Sequence, residues 1–196
     1  MKDIESHPGV PLLQHLQATR DRIKAFCQEL PPHVPELDQT AEWAGLGHDL
    51  GKSTEPFQAH LHERDADPNL TPHAKLSAVL MVEHLAAELD LRWKVPLFLS
   101  IASHHTTFKP YEKMLTQKDE WTLLQKRANY LIQPAFQNLL WDLDWQMPHE
   151  GEWLSPYQTF QNKFVYPAYT LQTRQMNESD KLAFYFDLNL ILGMLA

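Results

Sequence analysis

The sequence predicts an all-α protein built as a single domain. Three observations lead there. At 196 residues, 43% of them hydrophobic and 21% charged, the chain is long enough to bury a sizeable core. Its 14 prolines and several capping residues cut it into segments whose apolar positions recur every three or four residues. No segment sustains the period-two alternation of a half-buried strand, so no strand is expected.

The elements follow in order. A first helix runs from about Pro11 to Leu30, with Leu12, Leu16, Ile23, Phe26 and Leu30 as its apolar stripe and Pro31-Pro32 as its stop. Cys27 within it reads as a small core residue, and as the sole cysteine it excludes an intrachain disulfide. A second helix starts at the candidate N-cap Asp38 and ends at Gly51. A short third helix spans Thr54 to Glu63. Thr71 as cap and Pro72 at the first helical position open a fourth, carrying Leu76, Val79, Leu80, Val82 and Leu85 to about Asp90. Pro96 opens a fifth helix that is apolar nearly all round and therefore central. Thr116 to Ile132 and Ala135 to Leu143 make two more, parted by Pro134. Residues 141–170 read as irregular and rich in aromatics. These either pin a long loop to the core, the favoured reading, or stack unpaired bases. A last helix runs from about Ser179 and is still open at Ala196.

Charge limits the function classes. The net charge of −8 is spread evenly: residues 1–110 carry 10 basic and 15 acidic groups, residues 111–196 carry 7 and 10. A broad basic face for duplex DNA is excluded, and any nucleic acid must be held locally. No leader-like apolar run follows Met1, and the apolar stretches Val95–Ala102 and Leu188–Ala196 fall far short of the roughly 20 residues of a membrane span. The expected location is the cytoplasm.

The chemistry lies in the 11 histidines. A His-Asp dipeptide is expected about 0.7 times by chance in this composition, so the pair His48-Asp49 alone means nothing. Its context, Gly47-His48-Asp49-Leu50-Gly51-Lys52, is more informative. There an imidazole, a carboxylate able to bridge two cations and a mobile ammonium meet at a helix end. His15 sits beside an apolar stripe, His73 at a helix start, and His104-His105 at the end of the buried helix. Taken singly, each reads more readily as a core or surface histidine. Taken jointly they form a nitrogen-rich ligand set suited to iron, manganese, cobalt, nickel or zinc. A zinc ribbon is excluded by the single cysteine. His7, His33 and His149 read as loop residues, His60 and His62 as surface, and His84 as a reserve ligand.

The order of these motifs resembles the HD superfamily of metal-dependent phosphohydrolases. Within it, the chain is most similar to the HD nuclease of type I CRISPR interference, the Cas three type. The resemblance rests on His15 in Leu12-Leu13-Gln14-His15-Leu16, on Gly47–Lys52, on Glu55-Pro56-Phe57-Gln58, on His73-Ala74-Lys75-Leu76-Ser77-Ala78 and on His104-His105. Phe57-Gln58 and Ser77-Ala78 separate this branch from the generic superfamily. It covers residues 10–108 and, loosely, the final helix.

What the resemblance implies is an HD-domain helical bundle around a dinuclear metal site. Asp49 would bridge two divalent ions: iron, manganese, nickel, cobalt or magnesium. His15 and His48 would hold one ion, and His73, His104 and His105 the other. Lys52 would be a catalytic and substrate-binding cation on a phosphate oxygen. In the family the first ion is completed by an aspartate near the end of the last helix. Leu190–Ala196 contains none, and Asp187 lies nine residues before Ala196, about 13–14 Å of helical rise. The expectation is one HD domain over residues 1–196 that lacks its C-terminal end, with its first ion poorly occupied. The implied activity is a metal-dependent nuclease, endo- or exonucleolytic, on single-stranded DNA or RNA in CRISPR antiviral interference. Its partners would be a helicase subunit or domain and the surveillance complex. A phosphohydrolase of small nucleotides and a non-catalytic HD interaction module are the alternatives.

Overall fold

The computed structural model describes residues 4–29, 35–105, 118–145 and 153–170, with residues 191, 193 and 195 of the last segment. Its first elements are ones the periodicity does not announce. Glu5–His7 (β1) and Val10–Pro11 (β2) pair as an antiparallel hairpin, turned by Gly9 at φ +77°. Two and three residues are too few for alternation to register. The hairpin is held from outside, since Leu12 N–H donates to Ile4 C=O at 2.8 Å.

Helix α1 (Leu12–Glu29) buries Leu12, Leu16, Ile23 and Cys27. Cys27 takes the inward position, which leaves neighbouring Phe26 at 45% exposure, outside the expected stripe. Each fully buried leucine contributes about 1.5–3 kcal/mol to the fold. Helix α2 (Pro35–Gly47) packs along α1 and starts before the expected cap. Asp38 is instead in the first turn, where its carboxyl accepts from the Cys27 thiol. Burial, then Asp38, push that thiol up to about 11. The helix also stops earlier than expected, at Gly47, and a separate 3-10 turn follows over Leu50–Ser53. His48 and Asp49 therefore occupy the break between two helical pieces.

Helix α3 (Glu55–Leu61) follows, with Pro56 in its first turn. Helix α4 (Ala74–Leu80) begins two residues later than expected, because His73 itself is the cap: its carbonyl accepts from Ser77 N–H at 2.9 Å. A π-helical turn, Met81–Leu85, extends it. Helix α5 (Leu91–Ser103) starts earlier than Pro96, since the Asp90 carboxylate caps it by accepting from Arg92 N–H at 2.8 Å. Pro96 sits in the second turn and forfeits one backbone bond there. Burial of Trp93, Val95, Leu97, Phe98, Leu99 and Ile101 around it makes α5 central, packed on α4 and α2.

Helix α7 (Ala135–Asp142) agrees with expectation, whereas α6 (Lys118–Ala128) stops four residues short of the expected Ile132, because Leu131 bridges to Thr54 instead. The segment between them pairs with the 3-10 turn: Glu55 N–H donates to Tyr130 C=O and Ile132 N–H to Ser53 C=O. Beyond Pro156 the expected irregular stretch is helical, as α8 (Tyr157–Phe160), a π-helical turn (Gln161–Val165) and α9 (Tyr166–Thr170). Phe160 and Phe164 are buried against Trp121 and Phe98, so those aromatics belong to the core, whereas Trp141 is 77% exposed. The expected helix from Ser179, with Asp187, lies outside the described residues apart from three helical positions near its end. Among the described residues no helix is long and apolar enough to cross a membrane.

Gly51 decides how closely the 3-10 turn meets α4. A Cβ there would stand 2.5 Å from the His73 carbonyl oxygen, a backbone atom that cannot swing away. Gly47, by contrast, faces only the flexible Met81 side chain. Gly51→Ala is expected to cost about 1–3 kcal/mol in urea denaturation. The loss should exceed that of Gly47→Ala, and the reverse ranking would refute this account of the contact.

Candidate metal centre

Three helix ends and one helix face converge on a single carboxylate. Asp49, 1% exposed, lies at the break after α2. Its Oδ2 is 3.0 Å from His15 Nε2, 3.3 Å from His48 Nε2 and 2.8 Å from Lys52 Nζ. Its Oδ1 is 2.9 Å from His73 Nε2 and 3.3 Å from His104 Nε2. His105 joins through His73, the two Nε2 atoms lying 3.1 Å apart. His15 projects from α1, His73 caps α4, and His104 and His105 follow the last turn of α5.

Backbone carbonyls set the orientation of two rings. His48 Nδ1 donates to Gly45 C=O at 2.9 Å, and His104 Nδ1 donates to Ile101 C=O at 2.6 Å. Each neutral ring then presents an unprotonated Nε2 inward. Those lone pairs face carboxylate oxygens, and the His48 Nε2 faces that of His15 at 3.1 Å. Asp49 Oδ1 and His104 Nε2 are buried and close, yet form no hydrogen bond of proper geometry. Protonating every ring would repair the contacts, at the cost of several buried cations around one anion. A divalent cation repairs them without that cost. The donor set therefore fits metal ions, and it divides into two groups that share Asp49: Asp49, His73, His104 and His105; and His15, His48 and Asp49.

The family profile described as "Cas3, HD domain" matches residues 9–165. The chain belongs to the Cas3 HD domain family. The structure also resembles the CRISPR-associated Cas3 HD domain protein from Methanocaldococcus jannaschii, with a TM-score of 0.57, 14% sequence identity and full coverage of both chains. That likeness speaks to the fold. A comparison with curated proteins finds no match.

The elements around His48 and Asp49 hold them in place. Ser77 Oγ accepts from Gly51 N–H at 2.8 Å and donates to His73 C=O at 3.1 Å, locking the 3-10 turn to the α4 cap. Gln58, buried in α3, donates through Nε2 to Lys52 C=O at 2.9 Å and to Glu5 C=O at 2.7 Å, while its Oε1 accepts from Glu5 N–H at 3.1 Å. Phe57 meets the His73 ring edge-on and the Lys52 ammonium on its face. Gln58 and Ser77 figure in the sequence pattern, but only the structure shows what they touch.

Lys52 is 4% exposed, which overturns the picture of a freely mobile lysine. Its Nζ donates to Asp49 Oδ2 and, at 3.2 Å, to Ser6 C=O of the hairpin. His7, discounted from sequence, brings its ring to 5.2 Å from that of His15. Its neighbouring prolines gave no sign of that. His84 does not join the cluster, because its Nε2 meets Trp153 C=O at 2.6 Å. His60 and His62 also lie away from it, His62 facing Glu5 at 3.6 Å. His33 and His149 lie outside the described residues.

Burial alone would raise the Asp49 pKa, but the imidazoles of His104, His15, His48 and His73 outweigh it and hold the carboxyl well below the usual range. Burial lowers His73, and lowers His105 to about 4 with help from His104 and His73. Histidines with lowered folded pKa values stay neutral while the unfolded chain takes up protons, so stability is complete above about pH 6.5 and declines toward pH 4. Asp49 adds a loss of the same sign at lower pH. The urea midpoint of chelator-treated protein should therefore fall from about pH 7 to about pH 4.5, and His105→Gln should flatten part of that slope. A flat or rising profile would count against this cluster.

Proposed function

We propose that this chain is a metal-dependent phosphodiester hydrolase that cuts single-stranded nucleic acid, DNA foremost, in CRISPR interference. The observation that carries the reading is the shared carboxylate: one buried Asp49 serves two groups of imidazole donors. His48 and His104, held with unprotonated Nε2 atoms toward a buried carboxylate, are placed as metal ligands are. Asp49, His73, His104 and His105 are the proposed ligands of one ion, and His15, His48 and Asp49 of the other. Iron, manganese, cobalt and nickel suit this donor set better than magnesium. Bound there, divalent ions supply Lewis acidity to a phosphodiester and to an attacking water.

The chain's own residues do the rest. Asp49 stays ionised at every working pH and so offers both oxygens. His48 and His104, their Nδ1 atoms tied to backbone carbonyls, need no reorganisation to present Nε2. Lys52 spends two donors on Asp49 and Ser6, and we assign its third to a non-bridging phosphate oxygen. His15 and His105 form the more open edge of the centre, where a strand approaches. A helicase subunit or domain and a surveillance complex are the partners this reading requires, in the cytoplasm.

Asp49→Asn keeps the side-chain shape but removes the charge. It should abolish cleavage of circular single-stranded DNA with manganese, cobalt or nickel, a loss of several kcal/mol of transition-state stabilisation. Near wild-type cutting by this variant, or hydrolysis confined to a panel of free nucleotides, would sink the proposal.

The two positions should also differ in affinity. The Oδ2 side offers three ligands and already carries an ammonium 2.8 Å away, whereas the Oδ1 side offers four and no such cation. Cation repulsion weakens the first. In a cobalt titration followed by absorption, His104→Ala should remove the tighter equivalent and His15→Ala the weaker one. Equal affinities would contradict the asymmetry.

A further inference from the structure

Apart from the metal centre, a cavity of about 460 Å³ opens between the hairpin, α3 and the segment after α6. That volume lies within the range of small-ligand sites. Its floor is apolar, with Ile4 and Leu131 buried, and one wall is Gln58. Its rim carries Arg64, Asn129, Tyr130 and Gln133, all exposed.

Arg64 is brought to this rim by unusual backbone. The turn after α3 holds Glu63 at φ +53°, where glycine is the ordinary choice, and Arg64 N–H folds back to Ala59 C=O at 2.9 Å. Holding a glutamate in that conformation stores strain. The turn presents a guanidinium with no carboxylate within ion-pair distance among the described residues. His62, two positions earlier, is by contrast matched with Glu5. Glu55 gives the rim one negative charge, so the cavity does not suit a polyanion lying along it.

From this we infer that the cavity is a nucleotide subsite. A base stacks on Tyr130, its edge read by the Asn129 and Gln133 carboxamides, and a single phosphate rests on Arg64. Tyr130 is 38% exposed and offers a ring face, and carboxamides supply both donors and acceptors, as base edges require. The subsite is coupled to the metal centre through one side chain. Gln58 walls the cavity and holds Lys52 C=O, while the Lys52 ammonium holds Asp49. Gln58 thus links the cavity wall to the turn that carries Lys52 and Asp49. This extends the proposed function and rests on its nucleic-acid substrate.

The test is fluorescence anisotropy of a short fluorescein-labelled oligothymidylate, on metal-loaded and on chelator-treated protein. Tyr130→Ala and Arg64→Ala should each weaken binding about tenfold or more, with metal content and thermal midpoint preserved. Trp141→Ala, at an exposed aromatic outside the cavity, should leave affinity within about twofold. Thymidine 5′-monophosphate should compete and inorganic phosphate should not. Competition by the monophosphate equal to that of the oligonucleotide assigns the subsite to a free nucleotide, and stronger competition by the oligonucleotide assigns it to the strand. Unchanged affinity in both cavity variants overturns the inference, as does an equal loss in Trp141→Ala or equal competition by an acidic peptide. Binding that depends on Tyr130 and Arg64 without any metal-dependent cleavage removes the nuclease reading and keeps the subsite. Cleavage with binding indifferent to both residues does the opposite.

Discussion

The rest of the structure depends on one buried charge. Asp49 sits at 1% exposure, and an isolated carboxylate at such depth would be driven to its neutral form. Lys52 neutralises it from one side and imidazoles surround the remainder. That solution demands that distant chain segments end at the same point. The break after α2 carries Asp49 and His48, the cap of α4 carries His73, and the residues after α5 carry His104 and His105. Packing of α2 and α4 against α5 therefore has two outcomes at once, a core and a convergence of helix ends.

Helix ends suit this task for a reason beyond position. The last carbonyls of a helix have no partner within it, and here two of them are used. Gly45 C=O and Ile101 C=O accept from the Nδ1 of the histidine three residues on, His48 and His104. The same break that leaves backbone acceptors unsatisfied thus fixes a tautomer. Ser77 does for the α4 cap what those carbonyls do for the rings, and Gln58 ties the hairpin to the turn that carries Lys52. A two-stranded hairpin is marginal on its own in water, so its place here owes much to Gln58, to Lys52 and to the α1 amide of Leu12.

These causes also explain what the sequence could disclose. Long amphipathic periods announce α1, α4 and α7, and the helical class with them. The His-Asp-x-Gly-Lys string and the scattered histidines became legible as a set through resemblance to HD enzymes, and the structure gathers the five histidines of that set around Asp49. What escaped depends on non-local bonds. Asp38 has the chemistry of a cap, yet the Cys27 thiol across the helix pair claims it. Pro96 looks like a start, but the Asp90 carboxylate six residues earlier takes the capping role. Nothing in the spacing of Ser6 or Gln58 shows that one accepts from a lysine 46 residues away and that the other clamps a strand 53 residues away. The helical run after Pro156 was hidden because its aromatics face Trp121 and Phe98, partners that periodicity within the segment does not reveal.

The charge balance then bears on how a polyanion would be handled. A net charge of −8 repels a nucleic acid at long range, and salt screens that field beyond about 10 Å at ordinary ionic strength. Attraction must therefore be short-ranged and concentrated. The donor cluster with its buried ammonium and the cavity rim that carries Arg64 are such places. Between them lies the Gln58 carboxamide, neutral and fully bonded, which neither attracts nor repels a phosphate. An acidic surface with only scattered cations selects against continuous duplex backbone, whose many phosphates need many partners. It is compatible with a flexible single strand that can bring one phosphate at a time to each cation.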